Sequence, residues 1–234
     1  MPEAPTSYLH YLVFGLYPYF AILVMVLGSI LRYDRDQYSW KASSSQLLRS
    51  KGMRIGNNLF HIGIILLFFT HLVGLLTPES VYHMFVTTEA KQIMAMVGGG
   101  ILGGICFIGL TMLLWRRMTD KRIRATSNSS DIMLLWLLYI QLILGLISIY
   151  YSSQHMDGSS MVALGNWAQH IVTFRSGAAD FIVNEPWVFK AHLFLGLTIF
   201  LIFPFTRLVH MLSVPVKYIF RTGYQIVRKR GRGY

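Results

Sequence analysis

Eight histidines occur among the 234 residues. Four of them, His61, His71, His192 and His210, lie in apolar stretches of membrane-spanning length. Hydrocarbon is a costly medium for an ionisable, hydrogen-bonding ring, so intramembrane histidines as a rule face a bundle interior and mark function. Two of the four sit on one apolar stretch and two on another, which makes two pairs. Two imidazoles facing each other across a bundle can ligate the iron of one porphyrin from both sides, so two pairs can hold two haems. Neutral imidazole binds the metal through one nitrogen, and the other nitrogen needs an acceptor that fixes the tautomer. Iron with two histidine ligands has no open position for oxygen or substrate, and such a centre carries electrons. A lone intramembrane histidine is more often a hydrogen-bonded structural residue; pairing at matched depth is what favours the metal. The other four, His10, His83, His155 and His170, fall at or beyond the outer ends of the apolar stretches and read as solvated.

The elements that position these rings must be membrane helices. The chain is 54% apolar and only 13% charged, with a mean hydropathy of +0.49, against roughly 25% charged residues in soluble domains. No repeat, low-complexity tract or linker divides it, so residues 1–234 read as one membrane domain. The fold class expected is an all-α integral membrane protein, a bundle of five transmembrane helices binding two haems b. The spans are expected at about residues 8–31, 58–76, 92–115, 131–151 and 187–212, each near the ~20 residues needed to cross ~30 Å of hydrocarbon. Residues 213–234 read as a basic cytoplasmic tail. Residues 1–10 carry no Lys or Arg, so the first apolar run is expected to stay as a helix rather than serve as a cleaved signal. The segment 161–174 (MVALGNWAQHIVTF) fits either a helix on the outer membrane surface or a loop packed over the bundle. The single cysteine, Cys106, reads as a small buried apolar residue. It cannot build an iron–sulfur cluster, which takes four thiolates.

Charge sets the direction of the spans. Eighteen of the twenty-one Lys and Arg residues fall in the first connection, the third connection and the C-terminal region; only Lys91, Arg175 and Lys190 lie elsewhere. The positive-inside rule then puts the N-terminus outside and the C-terminus in the cytoplasm. The net charge of +11 is explained by topology and an anionic inner leaflet rather than by nucleic acid.

Depth follows from direction. The second and fifth spans run oppositely, so His61, which opens the second, is level with His210, which closes the fifth. His71 and His192 then share the outer level. Ideal helix geometry supports this only in part. His192 and His210 are eighteen residues and so five whole turns apart, on one face, whereas His61 and His71 diverge by roughly 80°. The rises, ~27 Å and ~15 Å for straight helices, differ as well. Tilt or a kink must absorb that difference, and Pro204 can supply a kink. Gly63, Gly74 and Gly196 flank the histidines and suit either approach of a flat macrocycle or close helix packing. Arg207 suits either a haem propionate or a purely topological role.

Longer ordered stretches carry a family resemblance. They are residues 16–20 (LYPYF), 31–38 (LRYDRDQY), 58–64 (NLFHIGI), 75–78 (LLTP), 91–96 (KQIMAM), 122–126 (RIRAT), 154–158 (QHMDG), 203–210 (FPFTRLVH) and 213–215 (SVP). Through them the chain resembles, over nearly its full length, the gamma (cytochrome b) subunit of bacterial respiratory nitrate reductase. The resemblance implies His61 and His210 as axial ligands of an inner haem b and His71 and His192 as those of an outer one. It implies quinol oxidation near the outer face, with Lys91 and His71 at the quinol site; without it, Lys91 reads as a snorkelling interfacial residue. It further implies electron flow through both haems to an iron–sulfur beta subunit, and so to a molybdenum-containing alpha subunit that reduces nitrate. The location implied is the bacterial cytoplasmic (inner) membrane. The basic loops and tail, residues 218–234 especially, are the candidate docking surface. The alternatives are a cytochrome b subunit of another quinone-linked reductase, or a haem-free transporter or scaffold that uses its histidines for metal or protons.

Overall fold

A computed structural model describes residues 7–41, 48 and 52–213 of the chain. The expected tail, apart from Ser213, lies outside the described residues, as do Arg49 and Lys51. All regular structure among the described residues is helical. Five helices are long and apolar enough to cross a membrane. They are α1 (Tyr8–Arg35), α2 (Met53–Leu76), α3 (Thr88–Thr119), α4 (Ser129–Gln154) and a last span, Trp187–Phe205. Between α4 and the last span lies a further helix, α5 (Ser159–Val172). The regular part of the last span is α6 (Trp187–Ile202).

Local chemistry sets the ends. Thr87 caps α3 by accepting the Ala90 amide, with Glu89 in the first turn, and Arg116 and Arg117 occupy its last turn. Acidic residues at a helix start and basic ones at its end both suit the macrodipole. Arg32 and Arg35 close α1 in the same way. Near its start, α1 passes through a π-helical turn, Leu12–Leu16, just ahead of Pro18. Pro18 has no amide hydrogen for the carbonyl four residues back, that of Phe14. The Trp167 indole N–H donates to that carbonyl at 2.9 Å.

The spans pack in the order α2, α3, α4, α6, α1. The α2–α3 seam is the closest, and glycine makes it so. A Cβ on Gly63 would lie 2.6 Å from the Cys106 Cβ, and one on Gly109 would overlap the Phe60 backbone nitrogen. The Cys106 thiol, fully buried, points at the Phe60 carbonyl. Of the two readings open for Gly63, helix packing is the one that occurs.

The segment 161–174 is helical and packed. α5 buries Trp167, Ala168 and Ile171 against Phe14, Ala179 and Ile182, forming a cap over one end of the bundle. From it Gln169 Nε2 donates to the Leu75 and Thr77 carbonyls, at 3.0 and 3.4 Å, closing the C-terminus of α2.

The fifth span, expected at about 187–212 with a kink available at Pro204, does not run as one helix. Regular helix stops at Ile202; Phe203–Phe205 is a 3₁₀ turn, Thr206 is extended (φ −116°, ψ 178°), and Arg207–Ser213 is a second 3₁₀ stretch. Pro204 is the cause, lacking an N–H and clashing with the carbonyl of the preceding turn. His210 therefore lies on a separate segment, and the five-turn alignment with His192 does not apply.

The α2–α3 seam generates a prediction. Gly109→Ala is expected to push α2 off α3 and destabilise the chain by about 1–3 kcal/mol, the usual cost of overpacking. Thermal unfolding in detergent measures it, with Gly98→Ala, whose Cβ meets nothing within 4 Å, as the control.

Candidate functional site

α2 packs on α3, and α6 packs on α4 and α1, so no close seam joins α2 to α6. The four span histidines meet across that gap. His61 and His210 have ring centres 6.4 Å apart at an interplanar angle of 66°; for His71 and His192 the values are 6.2 Å and 38°. His61, His192 and His210 are half-buried, and His71 is exposed.

Each ring is oriented by a carbonyl. Nδ1 of His61 donates to Asn57 O at 2.8 Å, and Nδ1 of His71 donates to Leu67 O at 2.7 Å, each one turn back along α2. Nδ1 of His192 donates across to the backbone carbonyl of Gln141 on α4, 3.1 Å away. Nδ1 of His210 donates to Arg207 O. A carbonyl only accepts, so the proton sits on Nδ1 and Nε2 is left with its lone pair. That is the state of a metal-ligating histidine whose second nitrogen is held by an acceptor.

The spacing fits the same chemistry. Two rings that shared one metal through bonds of about 2 Å each, with each ring centre about 1 Å behind its nitrogen, would stand about 6 Å apart. A direct hydrogen bond between the rings would draw them closer. Among the described residues no group of three or more His, Cys, Asp or Glu gathers as a metal site, so the rings stand in twos. The residues present thus fit two bis-imidazole metal centres of the kind a haem provides.

Small and polar neighbours shape the pair on the α5 side. A Cβ on Gly145 of α4 would lie 3.0 Å from His192 Cε1. Gln141 Nε2 donates to the His192 carbonyl at 3.1 Å and lies 3.4 Å from its Nε2. Gly196 faces that same Gln141 amide, whereas a Cβ on Gly74 would meet nothing within 4 Å. Gln141 and Gly145 were not singled out from sequence. The signal for Gln141 was an uncharged polar side chain mid-span in α4.

The His210 segment is held by charge. Arg207 donates through Nε and Nη2 to both carboxylate oxygens of Asp131, at the start of α4. Arg117, at the end of α3, approaches the same carboxylate at 3.9 Å and donates to Ser127 Oγ at 2.8 Å. Arg207, expected to serve a propionate or topology alone, is thus engaged by a carboxylate from another helix. Arg32 of α1 donates to the Pro204 and Thr206 carbonyls, at 2.6 and 2.8 Å. Arg32, Arg207 and Asp131 also line an open polar cavity of ≈ 370 Å³ with Asp36, Ser39 and Asn128.

Lys91 lies at the other end, near the start of α3. Its ammonium sits 3.7 Å from the centre of the Tyr82 ring, a cation–π contact. The two line a narrow cleft with Thr77, Glu79 and Gln169, and His71 is not among the lining residues. The structure therefore brings His71 to His192, and Lys91 to Tyr82, as two separate groupings.

The family model described as nitrate reductase gamma subunit matches residues 10–230. The respiratory nitrate reductase 2 gamma chain of Escherichia coli (strain K12) is 53% identical over 96% of this chain and 99% of its own length. The respiratory nitrate reductase 1 gamma chain of the same organism is 50% identical over the same shares. The nitrate reductase gamma chain of Bacillus subtilis (strain 168) is 37% identical over 94% and 98%. With five membrane-spanning helices and a match that runs nearly end to end, the chain belongs to the nitrate reductase gamma subunit family.

Proposed function

We propose that this chain is the di-haem cytochrome b subunit that connects quinol oxidation at the outer membrane face to nitrate reduction inside. The observation that carries the proposal is the spacing of the two histidine pairs, 6.4 and 6.2 Å between ring centres, with every Nδ1 committed to a carbonyl. His61 and His210 would hold the inner haem, and His71 and His192 the outer one. When bound, haem b supplies one-electron chemistry between quinol and a cytoplasmic iron–sulfur partner.

The chain's own residues do the rest. With two imidazoles committed to each haem, the group would supply electron transfer alone rather than oxygen chemistry. Quinol oxidation releases two electrons and two protons, so a basic or hydrogen-bonding group must meet the quinol hydroxyls. Lys91 is assigned to the quinol hydroxyls, its ammonium beside the Tyr82 ring. His71, with Nδ1 on the Leu67 carbonyl and Nε2 kept for iron, would border the site as a ligand of the outer haem rather than bond the quinol itself. The basic residues of the first and third connections and of the C-terminal region put the opposite end of the bundle in the cytoplasm. Protons then leave outside while electrons exit inside, which charges the membrane. An iron–sulfur beta subunit and a molybdenum-containing alpha subunit are the partners this reading requires.

A dithionite-reduced spectrum of the purified complex is expected to show a b-type band, and the pyridine haemochrome two haems per gamma chain. His210→Ala is expected to halve that haem count and stop quinol-driven nitrate reduction, while reduction driven by a soluble dye donor persists. Two haems retained in His210→Ala would refute the ligand assignment. Lys91→Ala is expected to raise the quinol KM about tenfold, the worth of one charge-assisted hydrogen bond, with both haems retained and dye-driven turnover unchanged. Steady-state kinetics with a soluble quinol analogue measures it.

A further inference from the structure

We propose that α1, which carries none of the four histidines, sets the position of His210: Gly28 and Arg32 seat the broken end of the fifth span, and through it the inner haem ligand. The inference rests on the reading of His61 and His210 as the inner pair.

The break at Pro204 leaves the Pro204 and Thr206 carbonyls outside any regular helix. Both are taken by one side chain, since Arg32 Nη1 donates to Pro204 O at 2.6 Å and to Thr206 O at 2.8 Å. The guanidinium is itself fixed, because Nε and Nη2 donate to Ser39 Oγ and O at 2.9 and 3.1 Å. One turn earlier on the same face of α1, Gly28 leaves room for the proline ring. A Cβ there would sit 2.8 Å from Pro204 Cγ and 2.9 Å from its Cβ. Glycine and arginine four residues apart thus form a single seat, with a hollow for the ring and a fork for the carbonyls. Pro204, Thr206, Leu208 and Val209 are all buried, so the seated segment has little room to shift. His210 follows directly, with its Nδ1 on the Arg207 carbonyl. Neither Gly28 nor Arg32 touches His210; both act as positioning residues.

A fork with several N–H groups is needed to serve two carbonyls and Ser39 together, and a lysine ammonium cannot reproduce that geometry. The imidazole plane angle and the iron–nitrogen bonding of the inner haem should therefore depend on Arg32 beyond its charge. Gly28→Ala tests the same seat by a single methyl group and without change of charge.

The experiment uses the assembled complex and reads each ferric haem by its highest-g EPR feature and by potentiometric titration. In Arg32→Ala and Gly28→Ala, the inner feature and its midpoint are expected to shift or vanish, while the outer ones stay as in the wild type. Arg32→Lys is expected to restore the inner signal only in part, and Gly98→Ala to change neither. Both haems unchanged in Arg32→Ala and Gly28→Ala, or both lost together, overturns the proposal. A wild-type complex without haem, or an inner signal that survives His210→Ala, overturns instead the ligand reading on which it rests.

Discussion

Backbone N–H and C=O groups inside a bilayer must find partners within the protein, because lipid offers none. Pro18 and Pro204 break that internal pairing within the described spans, and the surrounding structure answers each break differently. At Pro18 the loss is a single helical bond: the π-helical turn lets the span continue, and the Trp167 indole satisfies the Phe14 carbonyl. At Pro204 the helix ends altogether, and a guanidinium from α1 takes the freed carbonyls. The first repair ties α5 to α1. The second ties the His210 segment to α1. Much of the tertiary arrangement at both ends of the bundle follows from where those two donors must be.

The histidine pairs impose the opposite demand, a separation that is maintained. With the rings 6.4 and 6.2 Å apart, α2 and α6 stand off from each other, so each helix must be fixed from its other side. α2 is fixed by glycine: Gly63 and Gly109 bring its backbone against α3 so closely that no larger residue fits. α6 is fixed by polar contacts from α4, where Gln141 binds His192 through its backbone carbonyl and through its side-chain amide. Small-residue seams and interhelical hydrogen bonds are the available means here, since lipid is as apolar as the side chains themselves.

The spans were legible in the sequence because hydropathy and charge asymmetry are cumulative signals, spread over about twenty residues each. The grouping of His61 with His210 and His71 with His192 was legible because antiparallel spans order residues by depth. The exact form of the fifth span was not. Pro204 announced a kink, but whether a proline bends a helix or ends it depends on what receives the freed carbonyls, and Arg32 lies 172 residues away. Arg207 was ambiguous for the same reason. Its partner Asp131 opens a different helix, and spacing along one chain says nothing of a pair formed across two. The segment 161–174 had the mixed polarity of a surface helix, yet its buried face is recognisable only once the Phe14 carbonyl is known to need a donor.

Charge near the membrane interior has a cost, and the His210 end concentrates it. Arg117 is buried, and Asp131 and Arg207 have side chains only 13% and 19% exposed. Removing one member of such a pair strands a charge, at a cost of about 3–5 kcal/mol, although a well-packed apolar replacement of the whole pair would often be neutral. Mere stability would therefore not require ions here. What the Arg207–Asp131 fork adds is direction: two parallel bonds between a planar guanidinium and a carboxylate fix relative orientation, as a hydrophobic contact does not. The segment it orients is short and lacks a regular helical ladder back to α6. A histidine carried on such a segment keeps its place through side-chain anchors, which is why three arginines and one aspartate from four parts of the chain converge where the helix has ended.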